Sequence, residues 1–185
     1  MLALFLTGFL AGVVLPNLAF KLGWKQQAFA SAYLLGTFGK QSVSGMEYLL
    51  EILQMRGGYF LLCILCGFTV FGVPLAVLGM LGAGAGIGAL LSMSVLQFGL
   101  AGGAVGAGLL FPQYLVYIPV LFVVMDMVYQ ESMGMWRNRG IFPQKISGFA
   151  LESLLCAAIY FGGMLLECYV NPWVVEKIMD RINFF

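Results

Sequence analysis

The chain has 185 residues, of which 62% are hydrophobic and only 9% charged, against about 25% charged in an ordinary soluble domain. A soluble fold of this size cannot hide so much apolar surface, and a net charge of +1 gives no sign of a nucleic-acid partner, which would show a basic stripe. There is no histidine, so the commonest general base and the commonest metal ligand are both missing.

The first membrane-length stretch runs from Met1 to Phe20. Nothing basic except the amino terminus precedes Leu2, and Pro16-Asn17-Leu18-Ala19-Phe20-Lys21 offers no small-residue cleavage site. It therefore reads as a retained anchor helix and not as a signal peptide. From Lys21 to Arg56 the character changes. Trp24, Phe29, Tyr33, Leu34 and Phe38 interleave with Lys21, Lys25, Gln26, Gln27 and Lys40. Met46, Leu49, Leu50 and Leu53 then recur at helical spacing opposite Glu47, Glu51, Gln54 and Arg56. This pattern predicts one or two amphipathic helices on the membrane surface or against the bundle, and it makes 21–56 the largest extramembrane piece.

Residues 57–125 carry no charged side chain, which leaves room for about three spans of about 20 residues each. The second span is expected from Gly57 to Met80, kinked at Pro74. The third opens on the glycine run Gly82–Gly88. That run does not fit GxGxxG and follows no strand pattern, so it is no nucleotide loop. Gly84 and Gly88 instead form a small-xxx-small pair, where missing side chains let two helix backbones approach. Residues 99–110 are Gly- and Ala-rich, too weak for a full span, and predict a short re-entrant or interfacial helix. The fourth span is expected to begin at Pro112, a favourable first-turn residue, and to continue through Pro119 to Tyr129. A polar connection with Arg137, Arg139 and Lys145 leads to a fifth span over Ser147–Tyr169, and the chain closes with an amphipathic tail, Asn171–Phe185. The expected fold is thus all-α: a polytopic integral membrane helix bundle of about five spans plus a re-entrant or interfacial helix, one domain over 1–185, in contact with membrane lipid.

Five spans put 21–56 and the C-terminus on one face, the N-terminus and 130–147 on the other. Both connections are basic, so the positive-inside rule does not decide the orientation. Cys63 and Cys66 form a CxxC inside an apolar helix with no other soft ligand near, and with Cys156 and Cys168 they read as small apolar side chains. Intramembrane carboxylates often mark ion or proton paths. Asp126 and Glu152 read as carboxylates at the water interface. Glu167 stays open between that role and an intramembrane one, because Tyr169, Val170 and Trp173 extend the apolar character past it. No hydroxyl has a partner base in a recognisable motif, and no Walker lysine, cofactor motif or metal-ligand cluster is present. These absences point away from an enzyme.

Four segments resemble the stage II sporulation protein M family. The stretch from Phe5 to Asn17, Phe-Leu-Thr-Gly-Phe-Leu-Ala-Gly-Val-Val-Leu-Pro-Asn, is similar to that family's glycine-rich first span ending in Asn. Gly72-Val-Pro74 is similar to its Gly-x-Pro. Phe111-Pro-Gln-Tyr-Leu-Val-Tyr-Ile-Pro119 resembles its Pro-Gln-x-x-x-x-Ile-Pro, and Leu166-Glu-Cys-Tyr-Val-Asn-Pro172 its Glu-x-x-x-x-Pro. The four occur in family order over nearly the whole chain. Broader relatives often carry Pro-His-Gly-x-x-Glu where this chain has Pro112, Gln113, Tyr114 and Tyr117. The resemblance implies a non-catalytic membrane anchor for engulfment in endospore formation, in the mother-cell membrane, with stage II sporulation proteins D and P, two peptidoglycan-remodelling enzymes, as partners. It also implies a cytoplasmic N-terminus, with 21–56 facing the cell wall. The residues expected to matter are Asn17, Gly84, Gly88, Pro112, Gln113, Pro119, Glu167 and Pro172. A rival reading, a small transporter or permease-like subunit, draws on the broken helix over 99–112. It requires polar groups converging at mid-membrane, of which only Gln97, Gln113 and Glu167 are evident in the sequence.

Overall fold

The computed structural model describes residues 1–21, 45–138, 146–171, 173, 174 and 177. Among these, all regular structure is helical: α1 (Leu2–Lys21), α2 (Gly45–Ile52), a π-turn (Leu53–Gly57), α3 (Gly58–Gly67), α4 (Gly72–Leu110), α5 (Tyr114–Asn138), α6 (Ile146–Leu165) and a second π-turn (Leu166–Val170). Five stretches are long and apolar enough to cross a membrane: Leu2–Ala19, Gly45–Gly67, Gly72–Leu96, Tyr114–Arg137 and Ser147–Val170. The expected all-α architecture and the number of spans are found; the boundaries of the second, third and fourth spans are not those expected, the third opening at Gly72 instead of Gly82 and the fourth running on to Arg137.

Residues 45–56, expected as an amphipathic helix on the membrane surface or against the bundle, do pack on the bundle through Ile52 but form the first half of the second span, because α2, the first π-turn and α3 run on as one membrane-length helix. The expected span from Gly57 to Met80 does not exist as a unit. The chain breaks at 68–71, and Pro74 lies in the first turn of α4, where a missing N–H costs little. What ends α3 is a hydrogen-bonded turn: Thr69 N donates to Cys66 O at 3.0 Å and Gly72 N to Thr69 O at 3.3 Å. Two residues one helical turn apart on α5 clamp this turn from outside. Ser132 Oγ donates to Thr69 O at 2.8 Å and accepts from Val73 N at 3.1 Å, and Trp136 Nε1 donates to Val70 O at 2.9 Å. Ser132 thereby caps an α4 amide that has no partner within its own helix.

Helix α4 is broken at Gly99, whose φ of 67° and ψ of −155° form a conformation that a side chain resists. The short arm, 100–110, doubles back along the long arm. A Cβ on Gly103 would lie 3.0 Å from Val95 Cγ2, and one on Gly106 2.7 Å from Ser94 Oγ. The arm covers about 16 Å at 1.5 Å per residue, half of a hydrocarbon core of about 30 Å. The expected re-entrant helix is this arm. It ends at Phe111, and α5 starts two residues after Pro112, not at it: Leu115 N donates to Pro112 O and Tyr117 N to Gln113 O.

Helix α1 lies parallel to the long arm of α4 along a seam of four glycines. A Cβ on Gly8 or Gly12 would overlap the carbonyl oxygen of Leu81 or Ala85, and one on Gly84 or Gly88 the carbonyl oxygen of Phe5 or Phe9. Such contact is the close packing expected of Gly84 and Gly88, and it compensates for the weak hydrophobic drive between helices in lipid. The remaining core lies where α3, α4, α5 and α6 meet, around Cys63, Ala76, Met80, Val124, Met125, Val128, Phe149 and Met164. The outward faces are apolar, as on α6, where Leu151, Leu154, Leu155 and Ile159 are exposed.

Candidate functional site

The second and fifth spans bring one basic and one acidic side chain together inside the bundle. Arg56 leaves the backbone at the midpoint of the Gly45–Gly67 span, and Glu167 lies three residues inside the end of Ser147–Val170. Arg56 Nη2 donates to Glu167 Oε1 at 2.6 Å, and Tyr117 Oη donates to Glu167 Oε2 at 2.7 Å. Both carboxylate oxygens are thus engaged. The guanidinium carbon also lies 4.9 Å from the centre of the Tyr117 ring and 5.7 Å from that of Tyr114, within range of cation–π attraction. A charge at this depth is costly unless paired and hydrogen-bonded, and this pair is both.

Small and aromatic residues hold the cluster in place. Gly163 leaves room for the Tyr117 ring, since a Cβ there would lie 2.6 Å from Tyr117 Cε1. Tyr117 packs on Tyr160 with ring centres 4.7 Å apart, and Tyr160 stacks on Phe60 at 4.9 Å. One helical turn beyond Glu167, Asn171 reaches the end of the re-entrant arm. With its amide nitrogen facing the carbonyls, it donates to Phe111 O at 2.9 Å and Gly108 O at 3.2 Å, and accepts from Gln113 Nε2 at 3.1 Å. Span two, span five, the start of α5 and the tip of the re-entrant arm therefore converge on one polar centre.

Of the residues singled out in the sequence, Glu167 sits in this centre, buried in protein near the end of its span, and Gln113 borders it through Asn171. Pro112 lies at the arm's tip, and Pro119 is exposed on α5. Asn17 belongs elsewhere: its Nδ2 donates to Val13 O at 2.7 Å and Ser92 Oγ at 2.9 Å, closing the α1–α4 seam that Gly84 and Gly88 build. Pro172 and the side chain of Gln97 lie outside the described residues. Asp126, placed by its sequence at the end of a span, is at the middle of Tyr114–Arg137 and exposed, with Gln130 Nε2 donating to it at 2.6 Å.

Sequence reasoning missed Arg56, Tyr117, Asn171 and Ser132. The signal for Arg56 was its place as the last charge before the uncharged run. For Tyr117 and Tyr160 it was a hydroxyl inside an apolar helix, which in lipid calls for a partner.

Chemically, the centre neutralises its own charge. Among the described residues no three His, Cys, Asp or Glu side chains gather as metal ligands would. No protein family, curated protein or solved structure matches the chain.

Proposed function

We propose that this protein is a non-catalytic, multi-pass scaffold of the cell membrane that anchors peptidoglycan-remodelling enzymes while one cell engulfs another in endospore formation. The partners on this reading are stage II sporulation proteins D and P, and the membrane is that of the mother cell. The observation that carries the reading is where the four family-like segments fall. Asn17 and the first-span glycines lie in the α1–α4 seam, Gly72-Val-Pro74 at the clamped break, Pro112-Gln113 at the tip of the re-entrant arm, and Glu167 in the ion pair. Each sets how helices meet, and none presents a nucleophile beside a base. Such residues build a rigid frame on which other proteins sit. The extramembrane stretch available to partners is smaller than 21–56, because 45–56 is within a span.

The test is deletion of the gene in its spore-forming host. Engulfment is expected to stall while the wall enzymes are still made but no longer gather at the engulfing membrane, and an intact copy restores both. Normal engulfment without the protein overturns the reading.

A second reading, a small transporter, is favoured by one specific feature: the re-entrant arm ends beside Asn171 and the Arg56–Glu167–Tyr117 cluster. Discontinuous helices that gather polar groups are where transporters hold substrates; here the gathering lies toward one end of the fifth span. Proteoliposomes discriminate. Dissipation of an imposed proton or potassium gradient by the purified chain, abolished by Glu167→Gln, would move the assignment to transport.

A further inference from the structure

Two features coincide at the ion pair. The π-turn Leu53–Gly57 contains Arg56, and the π-turn Leu166–Val170 contains Glu167. These are the only two π-turns among the described residues. A π-turn is one residue inserted into an α-helix; it is rare and concentrates at functional positions. Here each partner of the buried pair stands on one.

The outer end of span two touches the second π-turn itself. Cys168 Sγ lies 3.3 Å from Gly45 O, and a Cβ on Gly45 would meet Tyr169 Cε1 at 3.7 Å. Inside the turns, α3 and α6 contribute Cys63, Phe149, Cys156, Tyr160 and Met164 to the core, whereas the outer end of span two contributes Ile52 alone, with Tyr48 and Leu49 packed partly buried against it.

We propose that the Arg56–Glu167 pair is a latch that holds the outer end of span two in π-turn register against span five, which Asn171 pins to the arm tip, and that opening it lets that end turn relative to the rest of the bundle. Relaxing a π-turn to α-helix removes one residue from the turn, which rotates what lies beyond it by about 100° and moves it about 1.5 Å along the axis. Tyr117, on α5, holds the carboxylate from the inner bundle and is the fixed side of the latch. The outer end of span two follows directly on 22–44, so an event on that face of the membrane is read at the pair. The latch is independent of what the protein anchors.

The test is electron–electron distance measurement on the full chain in liposomes. The background lacks Cys63, Cys66 and Cys156 and carries Cys168→Ser, which keeps a donor for Gly45 O. Spin labels go on exposed positions: Met46 with Leu154 reports the outer end of span two, and Leu78 with Leu154 reports the inner bundle. In E167Q the outer pair is expected to gain a second distance population, displaced by up to roughly 8 Å as a side chain swings about a helix of this diameter, while the inner pair keeps one. Unchanged outer distances in E167Q overturn the latch, and so does equal broadening of both pairs, which makes the ion pair a general element of core stability. Y117F keeps the pair and removes one hydrogen bond, so it carries the test if E167Q does not fold. A minor second outer population then supports the latch, and an unchanged distribution sinks it.

Discussion

At the scale of single residues, the chain treats two carboxylates in opposite ways. Glu167 is satisfied at both oxygens by Arg56 and Tyr117 and keeps 11% of its side-chain exposure. Asp126 faces outward with Gln130 one turn away. Removing one partner of a buried pair strands the other charge, which typically costs about 3–5 kcal/mol. Arg56 keeps 32% exposure, so the lower end applies. Glu167→Gln is expected to destabilise the protein by about 3 kcal/mol in a detergent unfolding titration, whereas Asp126→Asn, which removes an outward-facing charge from the middle of a span, is not expected to destabilise it. Equal effects would show that the pair contributes no more than an exposed carboxylate. Glu167 was legible in the sequence because apolar residues continue past it. Arg56 was not: its neighbours Glu47, Glu51 and Gln54 gave the segment an amphipathic pattern that reads as surface helix, although the helix continues through α3 to Gly67. Hydrophobic pattern ranks residues by polarity, and a charge neutralised by a residue 111 positions away leaves no mark on that pattern.

At the scale of elements, glycine positions separate packing from mere flexibility. In the run 82–88, Gly84 and Gly88 back onto α1, where any side chain overlaps main chain, while a Cβ on Gly82 or Gly86 meets nothing within 4 Å. Gly84→Leu and Gly88→Leu are therefore expected to detach α1 from α4, seen as a lower unfolding midpoint and as proteolytic cleavage after the first span. Gly82→Leu and Gly86→Leu should fold normally. If all four variants behave alike, the run is not a directional seam. The clamp on the 68–71 turn makes a second comparison. Ser132→Ala deletes a hydroxyl that both donates and accepts in the interior, an expected loss of about 1–3 kcal/mol. Thr7→Ala, which removes an exposed hydroxyl bonded to Leu4 O of its own helix, is expected to cost little. The glycine pair and the re-entrant arm were legible because small-residue spacing and weak helix formers act locally. The break at 68–71 was not, because it depends on Ser132 and Trp136 of a helix some sixty residues on, and Pro74 drew attention to the wrong turn.

At the scale of the whole molecule, five spans fix which segments share a face, and the exposed aromatics agree with the count. Phe71 sits in the turn between α3 and α4, near Trp136. Trp173 follows the second π-turn, with Lys177 Nζ 3.9 Å from its ring centre. Tryptophan at both ends of the bundle matches the aromatic belts of a membrane protein. The charge pattern left orientation undecided. The proposed scaffold role decides it: partners in the wall space require 22–44 and the C-terminal tail outside, and Phe71 inside. A cysteine-free chain carrying either Phe71→Cys or Trp173→Cys, treated in intact cells with an impermeant maleimide, is expected to label at 173 and to label at 71 only after permeabilisation. The reverse pattern places the partner-facing stretch in the cytoplasm and removes wall enzymes as its partners, leaving the bundle itself intact. Labelling of both positions from the same side is the graver outcome, because spans three, four and five, an odd number of crossings, separate residue 71 from residue 173, and no arrangement of the observed helices puts both on one face.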